Sequence, residues 1–179
     1  MAIDWKVIAA QVGDLKSDGS ELGSGTESGI RALELIVGEE NIRGAVDQWT
    51  SFKPGYATAE KTLLVMRSSV AMEYCYEIYK NEPNTQRAER AIFLLTQLAN
   101  GHFLRWAREF MEDNNFSIRW CATVALERVL EGPLDDEETA LTKELLAKAE
   151  EDFEPKLRER ALEIHKRLAS NPSLKHLDL

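Results

Sequence analysis

Apolar residues recur every three to four positions along this chain, with no strict alternation and no clustered β-branched runs. The pattern predicts an all-α protein of about nine helices and no sheet. The first helix starts after Asp4, whose carboxylate can cap free amides, and sets Trp5, Ile8, Ala9, Val12 and Leu15 on one side. KSDGSELGSGTESG, Lys16 to Gly29, is too rich in Gly and Ser to hold a helix and reads as a flexible connection. Ile30 to Val37 forms a short helix ended by Gly38, and Ile42, Ala45, Val46, Trp49 and Phe52 stripe the next, which stops before Pro54-Gly55.

A longer helix is expected from Ala57 to Tyr79. At about 100° per residue, Leu63, Met66, Val70, Tyr74 and Ile78 make one apolar face. Val65, Met72, Tyr76 and Tyr79 make a second, nearly opposite. Apolar on two sides, this helix is predicted to be covered on both and to run through the middle of the molecule. Pro83 breaks it. Ala88, Ala91, Ile92, Leu95 and Leu98 mark its successor, and Phe103, Leu104, Ala107, Phe110 and Met111 the one after Asn100-Gly101. DNNFSIRWCATVAL, from Asp113, opens the seventh, which stops at Gly132-Pro133. Asp135 and Glu138 have capping-box spacing ahead of Leu141, Leu145, Leu146 and Ala149. The last helix buries Leu157, Ala161, Ile164 and Leu168, with Pro155 in its first turn.

One residue is out of place in this pattern: Arg119, wedged between apolar neighbours. Shifting the last third of the chain by 39 residues lays DNNFSIRWCA (Asp113 to Ala122) on DFEPKLRERA (Asp152 to Ala161). Asp113 then pairs with Asp152, Ile118 with Leu157, Arg119 with Arg158, Ala122 with Ala161 and Val129 with Leu168. A period near 40 made of two helices is that of an α-solenoid, whose hairpins bury their apolar faces on one another. The segments resemble HEAT repeats, whose second helix opens with Asp, a turn often holding Pro, an aliphatic-Arg pair and then Ala. Upstream the motif thins to Arg87, after the Pro83 turn but preceded by Gln86, and to Ile42-Arg43.

The resemblance implies a short α-α superhelix of four helix pairs and an extra N-terminal helix. Residues 1–15 are then an N-terminal helix, 16–29 a connection, 30–170 the repeat domain and 171–179 a loose tail. It also implies that Asp113, Arg119, Asp152 and Arg158 form a structural ladder of charge-assisted bonds between successive repeats. The second helices (Ile42 to Phe52, Gln86 to Ala99, Ser117 to Glu131, Pro155 to Ala169) would line the concave side. A partner-binding surface is expected there, at Trp120, Glu127 and Arg128 with Arg90 and Glu163.

Composition narrows the function. With 179 residues and 44% hydrophobic content the chain can bury a sizeable core without disulfides, and Cys75 and Cys121 lack metal-ligand spacing. A net charge of −9 argues against nucleic acid and for a basic protein partner. The acidity peaks from Glu131 to Asp152, with nine carboxylates against two lysines. No segment predicts a membrane span or a signal peptide, so a cytoplasmic location is expected.

No metal motif includes His102, His165 or His176, and the Gly-rich connection lacks the strand and lysine of a phosphate loop. No serine sits in a nucleophile elbow, and Asp135 to Glu138 reads as a helix start. Glu60 and Arg67 lie two turns apart on one face and are expected to form a buried or half-buried ion pair, with Arg67 alternatively contacting a ligand. The expectation is therefore a non-catalytic interaction module without cofactor. HEAT-like proteins that act on DNA bases or handle tetrapyrrole pigments leave an enzymatic or small-ligand alternative. Size and acidity also fit an immunity protein that neutralises a toxin.

Overall fold

The structure is a computed structural model that describes residues 3–20, 22 and 26–170. Among these residues every regular element is a helix, and there is no strand. No described helix is long and apolar enough to cross a membrane. The chain divides into two compact units, Met1–Ala91 and Ile92–Leu179.

Unit 1 holds α1 (Trp5–Gln11), α2 (Thr26–Val37), α3 (Glu39–Thr50), α4 (Tyr56–Met66) and α5 (Ser69–Asn81), and the boundary falls inside α6 (Gln86–Leu98). Asp4 caps α1 by accepting from the amides of Lys6 and Val7, yet α1 buries no residue, and Trp5 is 62% exposed. α2 begins at Thr26, ahead of the expected Ile30. Gly38, at φ 81°, ends α2 and opens α3, whose Ile42, Val46 and Trp49 are buried against α4 and α5. Phe52, expected on that stripe, is exposed with φ 50°.

The long helix expected from Ala57 to Tyr79 is two helices. Arg67, in the left-handed region at φ 47°, terminates α4 by donating its amide to Leu63. Ser68 then turns extended and accepts from the Ala71 amide as the N-cap of α5. Glu34 of α2 locks the joint, its Oε1 accepting from the Ser68 hydroxyl at 2.6 Å and the Ser69 hydroxyl at 3.2 Å. The apparent second apolar face arose because α4 buries Leu63 and Met66 while α5 buries Ala71, Met72, Cys75 and Ile78, in a different phase. Val65, assigned to that second face, is 81% exposed. The split raises the count to ten α-helices among the described residues.

Unit 2 continues from α6 through a 3-10 turn at Gly101–Phe103 into α7 (Leu104–Met111), α8 (Phe116–Leu130), α9 (Asp136–Glu150) and α10 (Pro155–Ser170). α7 packs on α8 and α9, and α10 packs on α9 and α8, so the two hairpins lie against each other helix by helix. α8 takes the most cover in unit 2: Ile118, Ala122, Ala125, Leu126, Val129 and Leu130 are all buried. The capping box at Asp135 and Glu138 is formed. The Leu168 side chain, the tail 171–179 with His176, and residues 21 and 23–25 of the Gly/Ser connection lie outside the described residues.

Candidate binding surface on unit 2

The interior of unit 2 is fixed by Arg119, near the start of α8. Its side chain is 3% exposed, and that of Asp152 9%. Nε and Nη2 donate to the two carboxylate oxygens of Asp152 at 2.7 and 3.1 Å, a fork-to-fork pair. Nη1 donates to the carbonyls of Asp113 and Asn114 at 2.8 and 3.2 Å, supplying partners to the turn that precedes α8. Thirty-nine residues on, Arg158 Nη1 donates to the carbonyls of Asp152 and Phe153 at 2.7 and 3.1 Å, the same contact in the same register. Asp113 itself accepts from the Asn115 amide, and Asp152 from the Glu154 amide.

Burial alone would push the Asp152 carboxyl up. The Arg119 bond, the Glu154 amide and the nearby Arg119 and Arg158 charges outweigh it and hold the carboxyl below its ordinary range. Phe153, 72% exposed, lies with its ring 4.3 Å from the Arg119 guanidinium carbon and shields the pair from water on that side.

These bonds clamp α8 between its neighbours, so little of it reaches solvent. What does is largely one ridge at four-residue spacing: Phe116, Trp120, Val124 and Arg128, each half-buried, with Cys121 beside them. The Phe116 and Trp120 rings touch, centroids 5.9 Å apart. On one flank, Thr96 of α6 donates to the Cys121 carbonyl, and Arg128 donates to Gln97 at 2.8 Å. On the other, Arg160 and Arg167 of α10 reach Glu127 at 2.6 and 2.5 Å.

Of the five expected surface residues, Trp120 and Arg128 share this ridge. Glu163 is exposed on α10 and reaches Arg160 at 3.3 Å. Glu127 is a correction: it is 8% exposed, because two arginines of α10 close over its carboxylate, and it serves the α8–α10 joint instead of a surface. Arg90 belongs to unit 1, where it donates to the Thr50 carbonyl and stacks on Phe52, its guanidinium carbon 4.0 Å from the ring centroid. Glu60 lies within α4, 3.6 Å from Lys61, and Arg67 is the left-handed C-cap of that same helix.

Periodicity gave no view of the charged network of unit 1. Arg43 stacks on Tyr74 and bonds both Glu77 oxygens, at 2.6 and 3.0 Å, as well as Glu39. Its Glu77 bond, ahead of burial, raises the guanidinium's pKa. Arg87 bonds Glu82 and, at 2.6 Å, Asp47, which also accepts from the Tyr74 hydroxyl. Burial first, and then the Asp47 bond, pushes the Tyr74 phenol up. The signal available in the sequence was Arg43 and Arg87 themselves, the two weak upstream echoes of the Arg119 motif.

An open depression beside this network is lined by Glu39, Glu40, Asn41, Arg43, Gly44 and Asp47. Most of its charged groups are engaged in the bonds just described. Among the described residues no group of three or more His, Cys, Asp or Glu could hold a metal. His165 Nδ1 lies 2.8 Å from Glu150, joining α9 to α10, and the His102 ring meets Trp106 edge-on. Compared with known proteins, the chain matches no family model, no curated protein and no solved structure.

Proposed function

We propose that this chain is a non-catalytic protein-binding module of HEAT-like helical repeats, and that its partner docks on the α8 ridge. The single observation that carries the reading is the ridge itself: an aromatic pair, a valine and an arginine in line, half-open on a helix most of whose other residues are buried. Aromatic residues and arginine are the side chains that dominate protein interfaces. Rigidity adds to the case, because a ridge held on both flanks loses little conformational freedom when it is covered. The repeat reading is supported by the matched bonds of Arg119 and Arg158, 39 residues apart in the sequence, each made to the two carbonyls just ahead of its helix.

A photo-crosslinking residue at Val124 tests this, with one at Ala147, exposed on α9, as the control. In native extract, Val124 should capture a discrete protein that Ala147 does not. Equal or absent capture at the two positions refutes the ridge as the docking surface.

A further inference from the structure

The net charge of the chain favours a basic partner, but the ridge carries the opposite sign. The α8–α10 flank is internally neutral: Glu127 and Glu163 face Arg160 and Arg167. Arg128 is different. Its one hydrogen bond is to the neutral amide of Gln97, and among the described residues no carboxylate lies within ion-pair distance of it. The carbonyl end of α8 favours a cation at that place, yet a guanidinium has five N–H donors in a planar fork, and Gln97 occupies one direction only. A half-buried guanidinium without a counter-charge gains most from a carboxylate that docks two-pronged.

Resting on the reading of the ridge as a protein-binding surface, we infer that the partner is an acidic amphipathic helix. Its apolar side chains cover Phe116, Trp120 and Val124, and a carboxylate meets Arg128. Trp120 and Arg128 are eight residues apart on α8, about 12 Å along the axis. The partner's carboxylate therefore lies about two turns from its main apolar anchor, a spacing typical of helix-in-groove recognition.

The test uses two synthetic helical peptides with the same leucine stripe, one with glutamates on the stripe's borders and one with lysines. Binding to the full chain is measured by fluorescence polarisation, and the contact is located by NMR from the Trp120 indole N–H and the Arg128 Nε–H. The glutamate peptide should bind at least about tenfold more tightly than the lysine peptide and shift both signals. Arg128→Gln should remove that advantage and Arg128→Glu reverse it, with unchanged helical content in both variants. A lysine peptide that binds more tightly while shifting Trp120 overturns the charge assignment and leaves the ridge as a protein-binding surface. Binding that Arg128→Glu does not alter, or no shift of either signal at millimolar peptide, overturns the inference. So does a concentration-dependent dimer of the protein alone that Trp120→Ala abolishes, since the ridge would then be filled by a second copy.

Discussion

Replacing Arg119 by alanine is the sharpest test of how unit 2 is held together. The substitution removes the paired bond to Asp152 and two bonds to the carbonyls of Asp113 and Asn114. It leaves the Asp152 carboxylate, 9% exposed, with only the Glu154 amide and the Arg158 contact nearby. Stripping one partner from a buried pair costs about 3–5 kcal/mol. Arg108 and Glu144, both more than half exposed, give the comparison: their bond is worth at most about 1 kcal/mol. Urea unfolding followed by circular dichroism should separate Arg119→Ala from Arg108→Ala by at least about 2 kcal/mol. Amide exchange should accelerate in α8 and α10. Adding Asp152→Leu to Arg119→Met should recover part of the loss, because no buried carboxylate is then stranded. Full recovery is not expected, since the carbonyls ahead of α8 lose their donor. If Arg119→Ala falls within about 1 kcal/mol of wild type, the pair does not anchor the hairpins and the reasoning fails.

Acid should act on the same bond. Asp152 holds its proton less tightly folded than unfolded, so its contribution is complete above the unfolded value near 4 and is lost as pH falls through the lower folded value; a wild-type advantage over Asp152→Asn that persists undiminished at pH 2 would contradict this. Ser68→Ala removes the α5 cap and a donor to Glu34, and should cost about 1–2 kcal/mol with faster amide exchange in the first turn of α5; unchanged exchange there refutes the cap. Gly55→Ala, at φ 96°, should cost about 1–2 kcal/mol in urea unfolding, and a neutral outcome would mean that the α4 start relaxes. Burial pushes the thiols of both Cys75 and Cys121 up, Cys75 the further, so a thiol reagent at pH 8 should label Cys121 first and reach Cys75 only on unfolding; equal rates would be inconsistent with the packing of α5.

How much of this was legible depended on whether a signal was local. Helix type, the capping box at Asp135 and the Asp4 cap were readable because each needs only a few neighbouring residues. Arg119 was readable as anomalous, since a cation amid apolar positions must find partners, and the repeat supplied candidates. The break at Arg67–Ser68 was not read, although Ser68-Ser69 marked it. A phase jump between two one-sided helices imitates one helix apolar on two sides, and a serine mid-pattern was the evidence against continuity. Glu127 was misplaced for a related reason: helical position placed it near the accessible side, and only the packing of α10 brings Arg160 and Arg167 over it. The network of Arg43, Glu77, Asp47 and Arg87 spans 34 to 40 residues of separation, beyond any local rule.

The same distinction governs charge. A sum over the chain counts every ionised group equally, whereas a partner meets only charges that the fold has not already neutralised. Asp152 is spent on Arg119, Glu127 on two arginines, and Asp47 and Glu77 on Arg87 and Arg43. The net charge of −9 sets the far field and repels acidic polymers. At the α8 ridge, Arg128 bonds Gln97 and has no carboxylate within ion-pair distance among the described residues. Long-range repulsion and short-range attraction can then act on one acidic partner together: encounter slows at low ionic strength, while the docked complex is held by a desolvated ion pair beside aromatic rings. Raising salt should therefore speed association with the acidic peptide while changing its dissociation rate far less, a pattern opposite to that of a complex steered by complementary net charge.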